Sequence, residues 1–412
     1  MRTNIAITRN TKLAQAIALT LTVLAANQAQ ATDYSFTDLR FQPGSYSPVH
    51  DINNLGQAVG QIYDPIGGGN EATYWDGVQW HTLGGWQSLP WTSTHVLGGT
   101  PPSNAAYGIN DNGQIVGYTG LKGVDADFPT VWNNGVAAQL DNLPGISGDT
   151  LQLAYSINNN GKVASWGFNA AGGFDAAFSN SGETAVHVLS TLGGSWTFIY
   201  GSKVINDAGQ IVGGSNTIGD GAIHAVAWQN EVIHDLGTLG GTNSFAYGTN
   251  QGGQIIGYSN DASDTDTRAV LWTDANAAPV DLGTLGGANA FATGINDLGQ
   301  IVGWSETAAG QAHLTLWDHG QIVDLTSYLA ADLLASGLGV DTSTYGGSND
   351  LAARINNAGV ILGNYADTVN YSQTYSFLLT PTAVPVPGAV WLFGSALAGF
   401  VGMKRRKQGQ AA

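Results

Sequence analysis

The sequence predicts an all-β fold, a seven-bladed β-propeller of four-stranded blades. Three observations predict it. A phrase of the form Ile-Asn-x-x-Gly-Gln-Ile-Val-Gly recurs seven times, with its Asn at Asn53, Asn110, Asn158, Asn206, Asn250, Asn296 and Asn356. The intervals of 57, 48, 48, 44, 46 and 60 residues are those of propeller blades or solenoid coils. The 412 residues include 58 Gly and no Cys. So much glycine favours tight turns over long helices, and the missing Cys excludes a disulfide scaffold, thiolate-bound zinc and a cysteine nucleophile. Finally, the repeat is split between the ends of the array. Residues 34–39 read as a lone outer strand, and residues 375–379 as a third strand with no fourth after it. Joining the two closes a ring and removes exposed strand edges; an open solenoid would gain nothing from the split.

Each repeat divides into strands a to d. Strand a is a small, alternating run such as Phe245-Ala246-Tyr247-Gly248. Asn-x-x-Gly then makes a hairpin turn whose Gly takes positive φ. Strand b follows, as in Gln254-Ile255-Ile256-Gly257, and then a variable polar loop. Strand c ends on an aromatic: Trp75, Trp132, Phe178, Trp228, Trp272, Trp317 or Phe377. Strand d leads into strings such as Gly283-Thr284-Leu285-Gly286-Gly287. Four short strands fit one antiparallel blade. One insert, residues 327–338, carries Leu329, Leu333, Leu334 and Leu338 at helical spacing.

The two ends read as address labels. Residues 1–31 carry Arg2, Arg9 and Lys12, an apolar run over 13–26 and then Ala29-Gln30-Ala31, the layout of a secretory signal peptide. Residues 381–412 hold an apolar segment, 388–403, followed by Lys404, Arg405, Arg406 and Lys407. About 24 Å long as a helix, that segment is short for a membrane core of about 30 Å, and the positive-inside rule leaves the body outside the cytoplasm. Between the ends, residues 32–380 hold six bases (Arg40, Lys122, Lys162, Lys203, Arg268 and Arg354) against all 30 acids, a net −24. Such a body repels phosphate backbones, which argues against nucleic acid as a partner.

The C-terminal string Val384-Pro385-Val386-Pro387, the apolar segment with Trp391-Leu392-Phe393-Gly394-Ser395, and the basic cluster together resemble the PEP-CTERM sorting signal of Gram-negative bacteria. The resemblance implies an exosortase and the secretion machinery as partners, transient anchoring in the inner membrane, and then a place at the cell surface or in an exopolysaccharide matrix. The body, residues 32–380, resembles the HAF repeats of bacterial extracellular proteins, through His224-Ala225-Val226-Ala227-Trp228 and His313-Leu314-Thr315-Leu316-Trp317. That resemblance implies a propeller-like fold and no known enzyme activity.

With strand a on the axis, the a–b and c–d turns share one face and the long b–c and d–a loops the other, where binding sites tend to lie. The loop face would carry Asp64, Asp125, Asp127, Asp261, Asp264, Asp266, Glu306, Trp86, Trp91, Trp196 and Phe198. Asp261, Asp264 and Asp266 offer hard oxygens for Ca²⁺. Trp86 and Trp91 offer surfaces for sugar rings; the alternative is that they cap blade ends. No metalloprotease, nucleophile-elbow or phosphate-loop motif occurs. The reading is therefore a non-enzymatic surface protein that binds exopolysaccharide or a partner protein. Its alternative is a secreted glycan hydrolase on the same scaffold, with paired carboxylates drawn from different loops.

Overall fold

The structure, a computed structural model, describes residues 33–39, 47–63, 69–84, 103–120, 127–141, 152–169, 173–329, 339–340, 353–366 and 374–382. These form seven antiparallel sheets arranged as a seven-bladed β-propeller. Six blades run a-b-c-d in chain order, as in blade 5: Gly240–Thr249, Ile255–Asp261, Thr267–Trp272 and Val280–Asp281. The blades begin at Val49, Asn104, Gln152, Gly193, Gly240 and Gly286.

Blade 7 is built from both ends of the array. Strand Asp33–Asp38 pairs with Thr374–Thr382, which pairs with Ile361–Ala366. The innermost place is shared by Gly339–Val340 and Arg354–Ile355, both against Ile361–Ala366. Leu39 N–H donates to the Ser376 carbonyl at 2.9 Å, and Phe36 stacks on Phe377 at 5.7 Å. Phe36–Thr380 is one compact body. Asp33–Ser35 and Pro381–Thr382 are the outer ends of the two paired strands, where Thr382 Oγ1 donates to the Asp33 carbonyl at 3.0 Å.

The Asn-x-x-Gly turns form as the sequence demands. All seven turn glycines, from Gly56 to Gly359, have φ between 76° and 80°, a region where a side chain would be strained. The strand-c tryptophans form the inter-blade core. Trp132, Trp228 and Trp272 are almost wholly buried, and their indole N–H groups donate to carbonyls of the preceding blade: Gly84 (2.7 Å), Ser190 (2.8 Å) and Leu236 (2.8 Å).

Two aromatics depart from the expected register. In five blades the aromatic faces the first residue of strand b, as Trp272 faces Ile255. In blade 3 that place belongs to Ser179, opposite Val163, and Phe178 sits one residue earlier under the Lys162 ammonium, 3.8 Å from its ring centre. In blade 7 the place belongs to Leu379, opposite Ile361; Phe377 lies two residues earlier, against the strand that supplies Phe36. Of the expected helical insert, the described part is a single 3₁₀ turn, Thr326–Tyr328, with Leu329 buried behind it; residues 330–338 lie outside the described residues, as do the 1–31 leader and the 388–403 segment. Among the described residues no helix is long and apolar enough to cross a membrane.

Candidate functional site: the two ends of the propeller axis

Strand a ends at one mouth of the axis in the repeat Asn. Each of these side chains donates one amide N–H to the main-chain carbonyl of the equivalent Asn in the next blade. The series runs Asn53 to Asn110 (3.0 Å), Asn110 to Asn158 (2.9 Å), Asn158 to Asn206 (2.9 Å), Asn206 to Asn250 (3.1 Å), Asn250 to Asn296 (3.0 Å) and Asn296 to Asn356 (3.0 Å). Asn356 then donates to Asn53 at 3.1 Å and closes the belt. In five blades the second N–H goes to the Gln four residues on, as from Asn53 to Gln57 at 2.8 Å. The amide oxygen caps the turn, accepting from Leu55 N and Gln57 N in blade 1. Only a primary amide supplies two donors and a double acceptor on so short a stem.

The residues that follow make a second closed belt. The main-chain N–H groups of Asn54, Asp111, Asn159, Asp207, Gln251, Asp297 and Asn357 each donate to the side-chain oxygen of the next, at 2.8–3.0 Å. These belts rim a polar funnel of about 70 Å³, open to solvent, whose wall is a collar of Ile52, Ile157, Ile205, Thr249, Ile295 and Ile355, with Lys203 beside it. The described cavity thus opens on the face of the short turns, opposite the loop face favoured by the sequence.

Lys203 reaches the axis because blade 4 is irregular. In blades 1, 2, 3, 5 and 6 strand a carries a one-residue bulge at His50, Tyr107, Tyr155, Tyr247 or Thr293, a device that re-aims side chains. Five positions lead from Phe245 to Asn250 and from Phe291 to Asn296, but eight from Phe198 to Asn206. The bulge is thereby expanded into a loop, Tyr200-Gly201-Ser202-Lys203. Gly201 has φ 128°, and a Cβ there would lie 2.7 Å from the Tyr247 carbonyl oxygen, so only glycine fits.

This loop ties five other blades together. Lys203 Nζ lies 3.1 Å from Asp51 Oδ2 in blade 1 and donates to the Ile109 carbonyl in blade 2 at 2.9 Å. Ser202 Oγ accepts from Arg354 Nε in blade 7 at 2.7 Å, and the Ser202 carbonyl accepts from Ser156 Oγ in blade 3 at 2.6 Å. The Lys203 carbonyl accepts from Thr249 N in blade 5. Asp51 has no solvent exposure at its side chain. Burial raises its pKa above the ordinary 3.8, against the pull of Lys203, the Ile109 N–H and Arg354. Burial likewise lowers Arg354 to about 10, with Asp51 resisting.

Toward the other mouth, strands a and b carry a chain of touching rings across six blades. It runs from His50 to Tyr107 (4.9 Å), Tyr155 (4.9 Å), Tyr200 (6.4 Å), Phe245 (5.6 Å), Tyr247 (5.0 Å), Tyr258 (5.9 Å), Phe291 (5.0 Å) and Trp304 (4.7 Å). Tyr107, Tyr200, Tyr247, Tyr258 and Phe291 are half-exposed. A branch leaves Tyr155 through Trp166 to Phe174 (5.0 Å) and Trp196 (5.4 Å).

The predicted metal ligands have other partners. Asp264 accepts from the Thr242 main chain with one oxygen and from Thr242 Oγ1 with the other (2.6 Å). Asp261 accepts from Ser263 Oγ and N, and Asp266 from Thr265 Oγ1. The Thr242 and Ser263 hydroxyls, chiefly, hold Asp264 and Asp261 below the usual carboxylate range. Among the described residues no three His or acidic side chains gather as a ligand set. The acid that clasps the Leu-Gly-Gly segment of its own blade recurs as Asp220 on Ser195 and Glu306 on Asn289. The HAF histidines also serve the fold: His224 pairs with Asp235 (2.9 Å) and His313 with Asp324 (2.7 Å), and Arg268 takes the same place against Asp281 (3.0 Å). Trp86, Trp91, Asp64, Asp125 and the sorting residues Val384 to Pro387 and Lys404 to Lys407 lie outside the described residues. The loop-face Trp196 is 39% exposed, and Phe198 is buried.

No family model matches the chain, and no curated protein matches it. Among solved structures it is similar to the BP39L lectin from Burkholderia pseudomallei (12% identity, 86% of this chain and 99% of that one, TM-score 0.43). It is also similar to YCF48 from Cyanidioschyzon merolae (10%, 84% and 99%, TM-score 0.47) and TolB from Acinetobacter baumannii (10%, 85% and 97%, TM-score 0.41). These likenesses assign no ligand or activity to this chain.

Proposed function

We propose that the protein is an exported, surface-displayed binding propeller without chemistry of its own, and that it takes up exopolysaccharide. The observation that supports this reading most is the arc of rings from Tyr107 to Phe291, in which Tyr107, Tyr200, Tyr247, Tyr258 and Phe291 are half-buried while Tyr155 and Phe245 are buried. Aromatic faces of this kind match the apolar faces of sugars, while their hydroxyls meet the wet edges. Among the described residues, Asp220, Asp264 and Glu306 hold turns and Asp235, Asp281 and Asp324 form ion pairs, roles that serve the scaffold rather than bond cleavage. Purified protein should bind matrix polysaccharide saturably in calorimetry and release no reducing ends from it. Release with turnover would favour the hydrolase reading instead.

The export part of the proposal is supported by the N-terminal leader and the C-terminal tail of the sequence. In an exosortase-deleted strain the tail should stay on the protein in the membrane fraction. Unchanged processing there would sink the sorting assignment.

A further inference from the structure

Trp196, Phe174 and Trp166 lie where blades 3 and 4 meet, and their surroundings differ from those of a packed core. Trp196 is 39% exposed and held edge-on to Phe174 at 90°. Its indole rests against bare backbone: a Cβ on Gly173 would lie 2.5 Å from its Cδ1 and Nε1. Beneath it, the Trp166 ring meets Phe174 at 5.0 Å and is only 6% exposed, yet its Nε1–H has no hydrogen-bond partner. Asn216, 8% exposed and packed against Gly194, donates to Asp220 but leaves Oδ1 without a partner. Buried polar atoms without partners are rare and costly in a finished fold. One such donor, joined through Phe174 to a fixed and exposed aromatic face, and one such acceptor on the strand paired with that of Trp196 are the parts of a sugar subsite.

We propose that this cluster binds one uncharged pyranose unit of a glycan, stacked on Trp196, with Trp166 Nε1–H and Asn216 Oδ1 available to its hydroxyls; this rests on the glycan-binding reading above. The charge around it sets the class of sugar. Asp175 holds Asn169 (3.0 Å), and Asp220 holds Ser195 (2.7 Å). Of the described bases, Lys162 covers Phe178, Lys203 and Arg354 stand on the axis and Arg268 pairs with Asp281, so the two carboxylates meet no cation among them. An acidic sugar would meet like charge; a neutral one would not.

The test compares a neutral glucan with a polyuronate by calorimetry on the full-length protein and two variants. Trp196→Ala should weaken neutral-glucan binding about tenfold or more, equivalent to about 1.4 kcal/mol, at unchanged melting temperature. Trp166→Phe keeps a ring and removes the unpartnered N–H, so it should weaken binding while leaving the melting temperature equal or higher, an outcome that a purely structural Trp166 would not give. Equal affinity of wild type and Trp196→Ala for the glucan would overturn this subsite and leave the broader reading standing. A preference for the polyuronate would overturn the uncharged class. No binding to either glycan would overturn both.

Discussion

Replacing Lys203 by Met is expected to cost about 3 kcal/mol of stability at pH 7. The ammonium neutralises Asp51, a carboxylate with no exposure, 3.1 Å away. Removing one partner of a buried pair leaves the other charge uncompensated, which typically costs about 3–5 kcal/mol. Part of that is recovered if Asp51 takes up a proton, and this gives the effect its pH dependence. Burial already holds the Asp51 pKa above 3.8, and loss of Lys203 raises it further. A raised acid keeps its proton in the folded chain while the unfolded chain ionises. Its penalty is therefore absent below about pH 4, grows as pH climbs through the folded value, and is complete above it. The gap between wild type and Lys203→Met in urea unfolding should shrink steadily from pH 7 to pH 4. The double variant Lys203→Met/Asp51→Leu should regain most of the loss. A gap of the same size at every pH would show that the pair does not carry the effect.

Asn356→Ala is the second large effect, with about 2–4 kcal/mol expected at neutral pH. The side chain donates to the Asn53 carbonyl at 3.1 Å and accepts from the N–H groups of Ala358 and Val360 at 3.0 Å. Truncation orphans the buried Asn53 carbonyl and two part-buried turn N–H groups; a buried unpaired polar group costs about 1–3 kcal/mol, and water relieves part of the cost at the other two. Asn356→Asp should do no better, because it sets an oxygen against the Asn53 carbonyl where an N–H had been. Asn357→Ala, one residue on and exposed, should stay within about 1 kcal/mol of wild type. Thermal melts of the three variants rank them. Equal melting points for Asn356→Ala and Asn357→Ala would remove the inner belt from the energetics.

The fold could be read from the sequence because each blade repeats the same local instructions. The turn glycines, the strand-c tryptophans and the split d/abc repeat are short-range signals, and each fixed its own part of the ring. The aromatic misassigned in blade 3 shows the limit. Phe178 stands next to the true register position, and only pairing of Ser179 with Val163 places it. The site was less legible. Asn53 and its equivalents were readable as turn formers, but their second task, bonding to the next blade, links residues 44 to 60 apart and is a property of ring closure. The axial loop did leave a trace, the three extra residues between Phe198 and Asn206. The partners of Lys203, Asp51 and Ile109, lie in blades that spacing alone cannot place opposite it. The acids of the 261–266 loop were legible as a cluster but not as turn clasps, since Thr242 lies at the start of strand a, about twenty residues earlier in the chain.

The asparagine belt has neither a first nor a last member. Every Asn donates its N–H in the same rotational sense, and the seam of blade 7 interrupts only the chain connection between its two paired outer strands, where Thr382 Oγ1 donates to the Asp33 carbonyl at 3.0 Å. Where the polypeptide starts is therefore a property of the gene and not of the ring. A gene rearranged to begin in a b–c loop, with residue 382 spliced to residue 33, would inherit every joint of the belt.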